Sequence, residues 1–119
     1  MKAKLAKEER LTHMLEVIDR IFRFLEGLEY ETFLTNELAQ YAEIKNFEII
    51  GEAAYQLPKE YREENEAIEW RKIVGLKPVL VYDYYKINKE IVWNTIHEKL
   101  LELKEAIIQL IEEEKTKNS

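Results

Sequence analysis

Lys77, Pro78, Tyr82, Tyr84 and Tyr85 lie within nine consecutive residues and could do chemistry together. Pro78 fixes its own φ and disfavours helical geometry at Lys77. Proline nevertheless suits the first turn of a new helix. One helix is therefore expected to end near Gly75 and another to begin at Pro78, leaving Lys77 at a helix N-terminus. Free amide N–H groups and the helix dipole favour anions there. The three tyrosines follow within two turns. A cation at a helix start with tyrosines beside it can hold a phosphate and stack a base. The competing structural reading puts the tyrosines in the core and the lysine in solvent.

Other candidate groups are sparse. The chain has 2 His, His13 and His97, and no Cys. Thiolate chemistry and disulfides are excluded, and a reducing compartment, the cytoplasm, is the natural expectation. The spacing His13-Met-Leu-Glu16 resembles helical metal ligands. A di-metal bundle needs ligands on four helices, and no matching second histidine motif occurs. No metal or cofactor is assigned, and both histidines are expected to be structural or solvated. Gly51, Ala53 and Ala54 form a small-residue patch, read as a place of close helix packing. Glu52 beside it is expected to be buried or paired. Trp70 and Trp93 read as core anchors.

The elements that would position these groups are helices. Leu11, Leu15, Ile18, Phe22 and Leu25 mark one face of a helix over 7–25, ended by Gly27. A second helix is predicted over 36–57 and is stopped by Pro58. A short polar helix follows over 59–64. A segment from Ile68 to Gly75 is interrupted at Lys77-Pro78 and resumes through Tyr85. Residues 78–85 are rich in β-branched and aromatic side chains, which suit a strand. With no pairing partner apparent elsewhere, they are expected to be helical. A last helix is predicted over 89–114, where Trp93, Ile96, Leu100, Leu103, Ile107 and Leu110 repeat as a coiled-coil-like seam. The expectation is an all-α, up-and-down antiparallel bundle of about five helices, a single domain over 1–119.

Composition agrees with this reading. The 119 residues are 35% charged and 46% hydrophobic, with 3 Gly and 2 Pro. That balance favours helix over sheet. No apolar run approaches a membrane span, and the first ten residues lack a signal-peptide core. A net charge of −6 argues against non-specific nucleic-acid binding by the whole surface. It leaves room for a local cationic pocket that binds RNA.

Three stretches together resemble a known family: Asn46-Phe-Glu-Ile-Ile-Gly-Glu-Ala-Ala54, then Trp70-Arg-Lys-Ile-Val-Gly75 with Lys77-Pro-Val-Leu-Val-Tyr-Asp-Tyr84, then Ile91-Val-Trp-Asn-Thr-Ile96. The chain resembles the HepT-type HEPN toxins over about residues 10–105. The resemblance implies an all-α homodimer acting as a metal-independent ribonuclease toxin. It also implies a minimal nucleotidyltransferase antitoxin, of the MntA type, that silences the toxin by transferring AMP to a motif tyrosine. The family motif is Arg, four to six residues, His, one residue, Tyr, and two chains bring their motifs together across the dimer.

The motif is altered in this chain. By the resemblance, the motif arginine aligns with Lys77, the asparagine often found after it with Pro78, and the histidine with Tyr82. The tyrosine is kept as Tyr84, and an upstream basic residue aligns with Lys45. Metal-free RNA cleavage needs a base for the 2′-hydroxyl, an acid for the leaving oxygen and cations for the phosphate. Imidazole suits the proton transfers near neutral pH, whereas a phenol is a poor base. Lysine keeps the positive charge but loses the bidentate grip of arginine. The implied site is Lys77, Tyr82 and Tyr84 for catalysis, Lys45 and Lys77 for RNA binding, and Tyr84 for modification. A weakened nuclease with RNA, tRNA among the candidates, as substrate is one expectation. The alternative is a catalytically inactive dimeric partner and substrate of a nucleotidyltransferase. A plain structural bundle has no positive signal.

Overall fold

The computed structural model describes residues 2–118 other than Tyr84, with the backbone alone for 2–5 and 118. Helix α1 spans Lys2–Phe24. Leu11, Met14, Ile18 and Ile21 are fully buried along it, and Leu25 closes the stripe. Leu15 and Phe22 sit at the edge of that face rather than its centre. Gly27, at φ +80, ends the excursion in the left-handed region that glycine enters without cost. A short helix α2, Tyr30–Leu34, follows and is absent from the expected set. It is held by Phe33, which is fully buried. Two side chains cap its last carbonyls: Gln40 Nε2 donates to Phe33 O at 2.9 Å, and Lys89 Nζ donates to Leu34 O at 3.0 Å.

Helix α3, Glu37–Tyr55, folds back along α1. It starts where the sequence predicts, because the Asn36 side chain accepts from the Ala39 N–H at 2.9 Å. Helix α4, Lys59–Glu64, begins after Pro58. Helices α5, Trp70–Val74, and α6, Leu76–Leu80, are short and share Gly75 at their junction. Helix α7, Lys89–Thr95, runs through a π-helical turn at Ile96–Leu100 into α8, Leu101–Asn118. The π turn carries the buried positions from Val92, Ile96 and Leu100 on to Ile107, Leu110 and Ile111. Helices α1, α3 and α8 enclose the core, with α1 packed against both of the others. No helix among the described residues is long and apolar enough to cross a membrane. The all-α expectation holds.

One segment differs. Of the helix expected over 78–85, residues 78–80 are helical as the end of α6, and Val81 and Tyr82 are extended. After Leu80 the chain extends as β1, Val81–Tyr82, turns, and returns as β2, Lys86–Ile87. The strands pair antiparallel, Val81 with Ile87 and Tyr82 with Lys86. The strand partner lies within the segment's own reach, as in any hairpin, so no distant strand is required. Asp83 takes φ 49, a left-handed value that Asp tolerates better than most residues. Asn88 secures the return: its N–H donates to Leu80 O at 2.7 Å and its side-chain Nδ2 to Val79 O at 2.9 Å. These bonds take carbonyls a continuing helix would have used. Helix α6 also begins at Leu76, two residues before the expected Pro78. Proline falls in its first turn, where the missing N–H is no loss.

Candidate functional site

Lys77 is positioned by a close approach made possible at Gly51. A Cβ at Gly51 would stand 3.3 Å from Ile73 O and 3.5 Å from Val74 O. The end of α5 therefore lies directly on α3, and the α5–α6 corner is drawn against it. Lys77 Nζ then reaches Glu48 Oε1 at 3.1 Å, while Lys45 Nζ lies 3.8 Å from Glu48 Oε2. Lys45 and Lys77, distant in sequence, flank one carboxylate. Both lysine side chains are mostly exposed, at 71% and 59%. Ion pairs of this kind contribute at most about 1 kcal/mol and exchange partners readily. An incoming phosphate can take the place of Glu48 on either ammonium.

This rim opens onto a groove of about 850 Å³ between α1 and α3, with Lys77 at its edge. Arg10, His13 and Arg20 line the α1 side. Opposing charge comes from Glu16 on α1 and from Glu48 and Glu52 on α3. Four Lys or Arg side chains thus meet three Glu, on a chain whose net charge is −6. The groove is the reverse of the average surface. Glu52 is exposed and accepts from Gln56 Nε2 at 2.9 Å, so it is paired rather than buried. The walls are set by packing: each fully buried aliphatic side chain on α1 contributes roughly 1.5–3 kcal/mol, more than the surface ion pairs above.

The tyrosines lie elsewhere. Tyr82 stands on β1 and Tyr85 just before β2; they are 50% and 52% exposed, so neither is a core residue. Neither lines the groove. Tyr84 falls outside the described residues. Tyr41 on α3 donates its hydroxyl to Tyr85 O at 3.3 Å and ties the hairpin tip back to the bundle. The structure therefore brings Lys45 and Lys77 together and leaves Tyr82 apart from the groove they border.

The two histidines also separate. His97 stacks on Trp93 with ring centroids 4.1 Å apart, and its Nδ1 lies 2.9 Å from Trp93 O. His13 is exposed on the groove wall. Glu48, Arg10 and Arg20 were missed by sequence reasoning. The spacing of 10, 13, 17 and 20, a second helical stripe on α1, is the signal that marks a groove-facing side there. Among the described residues no cluster of three or more His, Asp or Glu could hold a metal ion.

Comparison with known proteins bears on what this arrangement does. The profile of a family described as ribonuclease HepT-like matches residues 14–110. The chain is similar to a provisionally named RNase of Caldanaerobacter subterraneus subsp. tengcongensis, 31% identical over 105 residues, 88% of this chain and 94% of that protein. It is 32% identical over 103 residues to a provisionally named RNase of Methanocaldococcus jannaschii, 87% of this chain and 85% of that one. A provisionally named ribonuclease HepT of Thermococcus cleftensis is 29% identical over 101 residues, 85% of this chain and 92% of that protein. No solved structure matches. With most of its length matched by the profile and by relatives of similar size, the chain belongs to the HepT-like ribonuclease family.

Proposed function

We propose that this chain is a metal-independent ribonuclease of the HepT type, the toxin component of a cytoplasmic system with a nucleotidyltransferase antitoxin. It works as a homodimer, each copy a single HEPN-like domain. The observation that carries this reading is the meeting of Lys45 and Lys77 around Glu48 at the rim of a groove lined by four Lys or Arg and three Glu, on a chain that is acidic overall. Two ammonium groups there stabilise the charge that gathers on a phosphate during cleavage. Tyr82 donates a proton or holds the RNA from the hairpin. Tyr84 receives AMP: its phenol oxygen attacks the α-phosphorus of ATP, pyrophosphate leaves, and the phenolic proton passes to solvent. The added bulk and negative charge oppose RNA binding.

Activity is weakened relative to an Arg–His motif. Lys77 cannot make the bidentate phosphate contact of arginine, and Tyr82 is a poor base. One observation favours a second reading, an inactive dimeric substrate of the nucleotidyltransferase: Tyr82, in the place of the motif histidine, stands outside the groove. Incubation of the purified chain with tRNA in EDTA separates the two. Cleavage that falls about 100-fold or more in Lys77→Ala is the expected outcome. A folded chain with no cleavage above that of the variant supports the second reading instead.

A further inference from the structure

The weak point of the ribonuclease reading is the missing imidazole, and the groove contains one. His13 lies on the α1 wall, facing the same space as Lys45 and Lys77. It is exposed, and among the described residues it enters no hydrogen bond or ion pair that would hold its ring away from a ligand. His97 is committed to the Trp93 ring and carbonyl. Arg10 and Arg20 stand on the same α1 wall, about 4.5 and 10.5 Å along the axis from His13 at a rise of 1.5 Å per residue. A strand of RNA lying along α1 would meet Arg10, His13, the Glu16 carboxylate and Arg20 in that order, with the imidazole next to the outer cation. The groove volume, about 850 Å³, is in the range of small-ligand sites.

We propose that the RNA backbone lies in the α1–α3 groove and that His13, rather than any residue of the α6–hairpin segment, is the general base of cleavage. This rests on the ribonuclease reading above. Neutral His13 takes the 2′-hydroxyl proton. The 2′-oxygen bonds to the adjacent phosphorus and the P–O5′ bond breaks, giving a 2′,3′-cyclic phosphate and a 5′-oxygen. That oxygen takes a proton from water, and the hydroxide so formed removes the proton from His13. Lys77 and Lys45 stabilise the phosphorane charge. The catalytic set is thus divided between α1 and the α3–α6 corner.

The test uses the full chain in EDTA. Single-turnover cleavage of an RNA oligonucleotide is compared for the native chain, His13→Ala and Lys77→Ala. Binding of the 2′-deoxy oligonucleotide, which lacks the nucleophile, is measured in parallel. In His13→Ala the rate is expected to fall about 100-fold or more, with binding within about threefold and partial recovery on adding free imidazole. Cleavage by His13→Ala at the native rate, with Lys77→Ala impaired, overturns this inference and leaves the ribonuclease reading standing. Loss of cleavage matched by loss of binding, without rescue by imidazole, also overturns it and makes His13 an RNA-holding residue. A native chain that cleaves nothing removes both readings together.

Discussion

The groove beside α3 and the hairpin after α6 hold the two halves of the candidate chemistry, and they are built in different ways. The groove walls are long helices fixed by core side chains, with Gly51 letting α5 rest on α3. Its cations inherit that rigidity at their Cα atoms while their tips stay exchangeable. The hairpin has two residues in each strand and is fastened by Asn88 and by Tyr41. A two-stranded ribbon this short has little stability of its own. Charge placement is therefore built into the part of the molecule that packing fixes. The exposed tyrosines ride on the part that opens most easily.

Three measurements would sharpen or break this contrast. The largest effect is expected at Glu43, on the inner side of the helix that presents Lys45 and Glu48. Its side chain is fully buried, accepts from Asn46 Nδ2 at 2.9 Å, and has no partner for Oε2. Burial pushes its carboxyl up to about 7, with the Asn46 bond opposing. The folded chain holds this proton more tightly than the unfolded chain. The stability it contributes is present below the ordinary value of 4.5 and is lost as pH rises through about 7. Urea unfolding from about pH 5 to pH 8 should show a decline of roughly 2–3 kcal/mol that Glu43→Gln removes. An equal decline in both proteins would mean that α3 carries no such penalty.

Gly51→Val comes next. The new side chain meets the Ile73 and Val74 carbonyls, which are backbone and cannot swing away. Overpacking of this kind costs about 1–3 kcal/mol, and the melting temperature should drop by roughly 5–10 °C. On the proposed ribonuclease function, RNA binding should weaken as the α5–α6 corner and Lys77 move off Glu48. A variant that melts lower yet binds RNA unchanged would detach the cation pair from the packing that is said to place it.

The smallest effect is expected at Asn88→Ala. It removes the side-chain bond to Val79 O while the backbone bond to Leu80 O remains. The cost should be about 1 kcal/mol or less. Hydrogen exchange should speed up at Tyr82, Lys86 and Ile87, with the α1 and α3 amides unchanged. Slowed exchange at the hairpin, or faster exchange along α3, would break the contrast between a rigid groove and a loose ribbon.

Part of the candidate site is legible in the sequence. Lys77 next to a proline, and Lys45 by its resemblance to an upstream motif cation, were both picked out from the sequence, and the structure joins them through Glu48. The Lys45–Glu48 pair has the i, i+3 spacing of a helix surface and could be read locally. The Lys77–Glu48 pair could not, because it depends on where α5 and α6 land. The hairpin escapes local reading for a related reason. β-branched and aromatic residues are evident within 78–85, but the Asn88 bonds that end α6 and the left-handed turn at Asp83 are choices among local conformations of similar energy. His13 is expected to be structural or solvated and is exposed in the structure; that it borders a groove depends on the helix it faces, which its own helix does not encode.

The amino-acid sequence by itself determined the helical class, the long helices along α1, α3 and α7–α8, and the close approach at Gly51. Each follows from local periodicity, a capping residue or the absence of a side chain, and such signals act within one or two turns. Tertiary structure alone decided that Lys45 and Lys77 share a carboxylate, that Arg10, His13 and Arg20 face them across a groove, and that Tyr82 does not. Those relations depend on how one packed helix is placed against another. That placement is set by the summed burial of many side chains, and no single residue encodes it.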